Sequence, residues 1–203
     1  MLLSLFFSHS IIAAPNKTTP NILILGDSLS AGFMLEKGSE WPALLQKKLD
    51  NAQLNYQVIN ASISGETSLG GLSRLKKLLK KHQPQWLILE LGANDGLQGL
   101  SITQFKKNMQ TIIELTQQQQ ASVLLLGMHI PPNYGKRYSK SFHEVYLTLQ
   151  ADYNLPLVPF FLEGIAGVPS LNLTDGIHPT AQAQPLVLNN IWPQLNLQLS
   201  TKQ

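Results

Sequence analysis

Ser28 follows directly on an apolar run, Asn21–Gly26 (NILILG), where the chain turns from a strand pattern toward a helical one. Such a turn exposes the serine hydroxyl and leaves its backbone N–H free to donate. A lone serine there is more often a helix N-cap than a reactive group. Chemistry requires company. A neutral hydroxyl attacks an ester carbonyl poorly unless a base takes its proton and donors hold the charge that develops on the carbonyl oxygen. Among the five histidines, His9 lies in an apolar leader, His82 ends a basic helical stretch and His143 falls inside another, where exposure is the plain expectation. His129 follows a strand pattern and could line a site, although a polar or packing role is the commoner one. His178 differs, because Asp175 stands three residues earlier across Gly176, just before Pro179. On a turn, that spacing brings the carboxylate to one imidazole nitrogen and leaves the other for Ser28, the logic of a serine–histidine–aspartate triad. D-x-x-H alone occurs often by chance.

Two further residues could supply oxyanion donors. Asn94 sits in Asn94-Asp95-Gly96, an ordinary turn sequence, and its amide could equally point at a developing negative charge. Gly65 could give a backbone N–H from a neighbouring loop, where a glycine permits close approach of the chain to substrate. Asp27 and Asp95 flank these candidates. Paired carboxylates can serve a metal or a glycosidase-type acid and base, but the plainer reading has each hydrogen-bonding its own loop. No other residues stand at a convincing metal-ligand spacing, so neither a metal nor a cofactor is expected.

The elements that must position these residues are legible as apolar runs separated by helical stretches. Asn21–Gly26, Tyr56–Ala61, Trp86–Gly92, Ser122–Gly127 and Leu155–Phe160 are rich in Ile, Leu and Val. Continuous runs of this kind suit parallel strands buried on both faces. Helical periodicity covers Trp41–Asn51, Leu72–His82, Gln104–Gln120, Tyr138–Tyr153 and Thr180–Leu195. In the second, Leu72, Leu75, Leu78 and Leu79 face inward while Arg74, Lys76, Lys77, Lys80 and Lys81 mostly face out. Strands alternating with helices predict an α/β sandwich on a central parallel sheet, as a single domain over residues 18–203. In open parallel sheets the ligand site lies beyond the carboxyl ends of the strands. Ser28, Gly65 and Asn94 each follow a predicted strand, and His178 precedes the last helix, so all four gather at one edge.

Composition narrows the function classes. With 203 residues and 43% hydrophobic side chains the chain can build one substantial core. A net charge of +3 with scattered Lys and Arg argues against a nucleic-acid partner. Cysteine is absent, which removes thiolate chemistry and disulfides. Residues 1–17 begin MLLSLFFSHSIIAAP, apolar and uncharged, too short to span a bilayer and similar to the core of a secretory signal. The basic start of such a signal is missing and Pro15 is a poor residue after a cut. The expectation is an export signal whose true start can lie upstream of Met1, and a periplasmic or secreted protein. An uncleaved anchor or a cytosolic extension is the alternative.

The four blocks together resemble the SGNH (GDSL) hydrolases: Gly26-Asp27-Ser28-Leu29, Gly65, Gly92-Ala93-Asn94-Asp95 and Asp175-Ile177-His178-Pro179 stand in the family's order. ILILGDSLSAGF, VINASISGETS, LGANDGL and DGIHP read like bacterial members, with Ala93 standing where a glycine is expected. The resemblance spans Asn21–Leu195. It implies a flavodoxin-like three-layer α/β/α fold with sheet order 2-1-3-4-5, Ser28 as nucleophile, and Asp175 and His178 as its base. It also implies an oxyanion hole from the Ser28 and Gly65 amides and the Asn94 side chain. The implied substrates are small acyl esters and thioesters: acyl-CoA, lysophospholipids and aryl esters. A monomer is expected, with transient contact to phospholipid surfaces through the basic helix, unless that helix is simply a solvated face. The rivals are a carbohydrate or peptidoglycan O-acetylesterase on the same fold, and a non-catalytic lipid- or flavin-binding module.

Overall fold

The computed structural model describes residues 19–200; the proposed export signal lies outside the described residues. Five parallel strands form one sheet in the order β2-β1-β3-β4-β5. They are β1 (Asn21–Gly26), β2 (Gln57–Asn60), β3 (Trp86–Glu90), β4 (Ser122–Leu126) and β5 (Leu157–Val158). The strand order reverses direction between β1 and β3, whose ends meet at the Gly26–Glu90 pair. A reversal of this kind opens a crevice at the carboxyl edge.

The central strands β1, β3 and β4 are buried almost throughout, as continuous apolar runs require. The outer two differ from the sequence reading. β2 is an edge strand, with Gln57 and Asn60 exposed and Val58 and Ile59 half-buried. β5 shrinks to two residues because Pro156 and Pro159 bracket it, and proline has no N–H to give a ladder. The Pro156 and Val158 carbonyls still accept from Leu125 and Gly127.

Among the described residues seven α-helices connect and follow the strands: α1 (Ser28–Ala31), α2 (Trp41–Asn51), α3 (Ser68–His82), α4 (Ala93–Leu97), α5 (Ile102–Gln118), α6 (Lys136–Tyr153) and α7 (Gln184–Ser200). α3 starts four residues before its apolar periodicity begins, because the Thr67 side chain caps the Gly70 N–H. Gly70 and Gly71 carry no helical signal of their own. α7 starts later than expected, after a single 3-10 turn at Ala181–Ala183, and runs on through Leu195 and Leu199, both fully buried. The short α1 and α4, which hold Ser28 and Asn94, escape any periodicity argument because neither completes two turns.

α2 packs against α7, while α3, α5 and α6 pack side by side, giving a helical layer on each face of the sheet. The core between them is led by Trp41, Trp86, Phe105, Phe142, Tyr146 and Phe161, each essentially inaccessible to water. Arg74 departs from the expected outward face. Its guanidinium turns back to pair with Glu66 and donates to the Ala61 carbonyl at 2.6 Å, tying α3 to the loop after β2. Lys76 and Lys80 stay exposed along α3, whose far end meets the start of β1 where the Asn21 amide donates to the His82 carbonyl. Both lysines line a surface groove with Gln83 and Pro84, just before β3 and so at the amino edge of the sheet. Among the described residues no helix is long and apolar enough to cross a membrane.

Candidate active site

Ser28 is the first residue of α1, and its Oγ lies 2.8 Å from His178 Nε2. His178 Nδ1 lies 2.7 Å from Asp175 Oδ2. The loop bearing this pair is held at both ends. Asn172 bridges Pro179 in antiparallel fashion, the Leu173 N–H donates to the His178 carbonyl at 2.7 Å, and Thr180 N–H donates to Leu171. Gln184 then fixes the loop to the scaffold, accepting from the Trp41 N–H and donating to the Pro179 carbonyl. The Phe33 ring packs against the imidazole with centroids 4.5 Å apart.

Asp175 is held for its task by its own turn. Oδ1 accepts the N–H groups of Ile177 and His178 at 2.9 and 3.0 Å, leaving Oδ2 for the ring. Burial pushes the carboxyl up, but these backbone donors and the His178 ring outweigh it and hold it down at about 2. The group is therefore an anion across the neutral range, and an anion at Nδ1 keeps that nitrogen protonated and Nε2 free to accept from Ser28.

The proposed oxyanion donors converge on the same cavity, about 240 Å³, lined by Ser28, Gly65, Asn94 and His178 together with Phe33 and Ile177. Gly65 has a φ of +80° with open space where a side chain would be. Its need for glycine is thus the backbone conformation rather than crowding. Ile63 N–H donates to the Gly26 carbonyl, so the Gly65 loop folds back onto the end of β1. Asn94, the second residue of α4, is more constrained than expected. Its Nδ2 donates to Asp27 Oδ2 at 3.1 Å and to the Glu66 carbonyl at 3.0 Å. An amide nitrogen has two hydrogens, so an oxyanion must share or displace one of these partners.

The carboxylates beside the site are structural ties, not a paired acid and base. Asp27 bonds its own loop as expected, accepting the Leu29 N–H at 2.9 Å. Asp95 instead reaches the neighbouring loop, accepting the N–H and hydroxyl of Ser68. Sequence reading missed a third acid, Glu90, wholly buried at the end of β3. Its Oε2 accepts the Ser30 hydroxyl at 2.7 Å and the Asp27 N–H at 3.1 Å. Gly26 leaves room for it, since a Cβ there would fall 2.5 Å from that oxygen. An acidic residue inside the run WLILE was the available signal. Burial raises Asp27 and Glu90 above the usual carboxylate range, and their mutual repulsion adds to the rise in Glu90. Among the described residues no cluster of three His, Cys, Asp or Glu side chains could hold a metal ion.

A second cavity of about 470 Å³ adjoins the first, sharing Leu29, Ala93, Leu97 and Ile177 as a common wall. It continues along Met128, Ile130, Phe160, Leu162 and Ala166. No sequence pattern marks these side chains, which come from the segments that follow β4 and β5. His129 lines this groove and not the catalytic cavity, stacked on His143 with centroids 3.7 Å apart. His143 is half-buried, not exposed, with Nδ1 3.3 Å from the Met128 carbonyl.

Comparison with known proteins places these features in a family. Residues 24–185 match the model of the GDSL-like Lipase/Acylhydrolase family. Esterase TesA of Pseudomonas aeruginosa is 47% identical over 86% of this chain and 87% of its own. Thioesterase 1/protease 1/lysophospholipase L1 of Escherichia coli is 44% identical over 86% of this chain and 82% of its own. The crystal structure of the psychrotrophic esterase EstA from Pseudoalteromonas sp., inhibited by monoethylphosphonate, superposes with a TM-score of 0.85. It is 42% identical and covers 89% of this chain and 98% of that one. With the triad contacts, the 2-1-3-4-5 sheet and the family model all spanning the same residues, the chain belongs to the GDSL-like lipase/acylhydrolase family.

Proposed function

We propose that this protein hydrolyses acyl esters and thioesters through an acyl-enzyme on Ser28. The observation that carries the reading is the unbroken chain Ser28 Oγ–His178 Nε2 and His178 Nδ1–Asp175 Oδ2, at 2.8 and 2.7 Å. His178 takes the Ser28 proton as Oγ attacks the carbonyl. The oxyanion is held by the Ser28 and Gly65 N–H groups and by Asn94. The C–O or C–S bond breaks as His178 returns the proton to the leaving alcohol or thiol. Water then enters the same sequence and frees the acid. Nothing in these steps calls for a metal or a cofactor.

The adjoining apolar groove sets the substrate class. Its volume falls in the range of small-ligand sites, roughly 300–1,000 Å³. It opens from the catalytic cavity along Leu29, Ala93, Leu97 and Ile177, where an acyl chain attached to Ser28 would extend. This favours medium and long acyl chains over the short pocket of an O-acetylesterase. The names of the relatives, esterase and thioesterase/lysophospholipase, fit the same class. A binding module without turnover has no use for an oriented triad.

The test is chain-length selectivity. Ala166 lies in the part of the groove beyond the shared wall. Ala166→Trp is expected to lower kcat/KM on dodecanoyl and longer thioesters about tenfold or more, since each excluded methylene forfeits about 0.8 kcal/mol. Butyryl and acetyl esters should change little. Equal loss on all chain lengths would remove the groove from the substrate path.

The triad and the three oxyanion donors are complete within one chain, so the proposed mechanism draws no residue from a second subunit. Phe33 and Ile177 line the catalytic cavity and are exposed, and Met34 and Ile63, next in sequence to the lining residues Phe33 and Ser64, are exposed as well. An apolar rim around the entrance supports brief contact with a phospholipid surface there, rather than through the lysines of α3 at the far edge. Residues 1–15, apolar and without Asp, Glu, Lys or Arg, support export to the periplasm or beyond.

A further inference from the structure

Two of the five histidines stack beside the acyl groove and take no part in the triad. His129 follows β4 and lines the groove between Met128 and Ile130, while remaining exposed to solvent. Its ring lies on that of His143 from α6, with centroids 3.7 Å apart and planes 19° from parallel. The Phe160 ring meets His129 edge-on at 4.8 Å, so three rings make one continuous wall. His143 is anchored. Its Nδ1 lies 3.3 Å from the Met128 carbonyl, which can only accept, so that nitrogen carries a hydrogen.

We propose that the stacked His129–His143 pair is a pH-sensitive wall of the acyl groove, which accepts a long acyl chain when neutral and turns it away when charged. This rests on the reading of the groove as the path of the acyl chain. A neutral imidazole offers an alkyl chain its apolar face. An imidazolium holds water there, and covering it with methylenes removes that water without replacing its hydrogen bonds. A second proton is worse. Two stacked cations with centroids 3.7 Å apart repel, and with His143 anchored it is His129 that must leave the stack. Either step spoils the wall beside Met128 and Phe160.

The groups that act on His129 come from each element packed around it. Burial opposes its charge most, the facing His143 adds to that, and Glu163 beyond β5 favours the charge; the balance lowers His129 from the ordinary histidine value. Tyr146, whose ring also meets His143, is buried and its hydroxyl is pushed well above its usual range, so it stays neutral. Lys140 and Glu144, on either side of His143 in sequence, pair with each other. The rest of the groove wall, from α1, α4 and the segment before His178, is uncharged. His129 is therefore neutral near pH 7 and gains its charge only below about 6.5. Preference for long chains is full in neutral medium and lost in acid. Protonation of His178 removes the base for every substrate alike and leaves that preference untouched.

The experiment follows kcat/KM from about pH 8 to about pH 5, across the histidine range, on decanoyl and butyryl thioesters below their micellar concentrations. The ratio of the two cancels whatever acid does to the triad. In wild type it should fall about tenfold toward the acid end, the equivalent of about two methylenes of burial. His129→Phe keeps a ring that takes no proton, so its ratio should stay constant within about twofold. His143→Asn keeps a donor for the Met128 carbonyl but removes the opposing charge, so the fall should move to higher pH. A wild-type ratio independent of pH, the same fall in His129→Phe, or an unmoved midpoint in His143→Asn would overturn the proposal. Ala166→Trp at the alkaline end, where His129 is neutral, tests the groove separately. If it does not discriminate between the two chains, the groove reading falls and the proposal with it; if it does and the wild-type ratio is flat, only the pH-sensitive wall falls. A second measurement needs no variant. Wild type captured at Ser28 by a decyl or a methyl fluorophosphonate should show, by NMR titration, a lower His129 midpoint in the decyl adduct. A chain that prefers the neutral wall makes its protonation harder by the same factor. Equal midpoints would overturn the proposal.

Discussion

Ser28→Ala is expected to abolish hydrolysis of esters and thioesters while the protein remains folded. The loss in kcat should be on the order of 10⁶, the size found in a comparable serine triad when the nucleophile is removed. The fold should survive because Ser28 is only half-buried and its side chain makes one hydrogen bond, to His178. His178→Ala should cost about as much. Neither group does anything useful without the other, so the double variant should share nearly the same residual rate. The measurement is kcat/KM for the three variants on one thioester, with circular dichroism as the check on folding. Losses that multiply would assign the two residues to independent roles.

Asp175→Asn should lower kcat by about 10⁴, less than loss of the nucleophile but far more than its isosteric shape suggests. The reason lies in the turn. Oδ1 accepts two backbone N–H groups, from Ile177 and His178, and an asparagine must keep its oxygen there to satisfy both. Its NH2 then occupies the Oδ2 position and donates to Nδ1. An imidazole that accepts at Nδ1 carries its hydrogen on Nε2, which is the nitrogen 2.8 Å from Ser28. The base arrives already protonated at the point where it must accept. KM should change little, because Asp175 does not line the catalytic cavity. A loss of less than tenfold would mean that the histidine tautomer does not depend on Asp175.

What the sequence revealed of this site followed from order along the chain. β1, β3 and β4 were readable because strands buried on both faces leave uninterrupted apolar runs. Ser28, Gly65, Asn94 and His178 were readable because each lies just past a strand or just before the last helix, and a parallel sheet brings such positions to one edge. β2 and β5 were mistaken in extent, since an edge strand needs no continuous burial and the two prolines of LPLVPF leave few ladder hydrogen bonds. The acyl groove was invisible for a different reason. Leu29, Leu97, Met128, Phe160 and Ile177 are apolar residues in short helices and loops, indistinguishable in sequence from core, and only the fold places them around one cavity. Glu90 and the bond from Asn94 to Asp27 were equally hidden, because hydrogen bonds between residues 60 or more apart in sequence leave no local pattern.

The central claim, that Ser28 is an activated nucleophile, is tested most directly by covalent capture. Wild-type protein treated with an alkyl fluorophosphonate should gain the mass of one adduct, and peptide mapping should place it on Ser28. Turnover should fall in step with labelling, EDTA should affect neither, and His178→Ala should label far more slowly. An adduct on another residue, or full activity in a fully labelled sample, would contradict the mechanism.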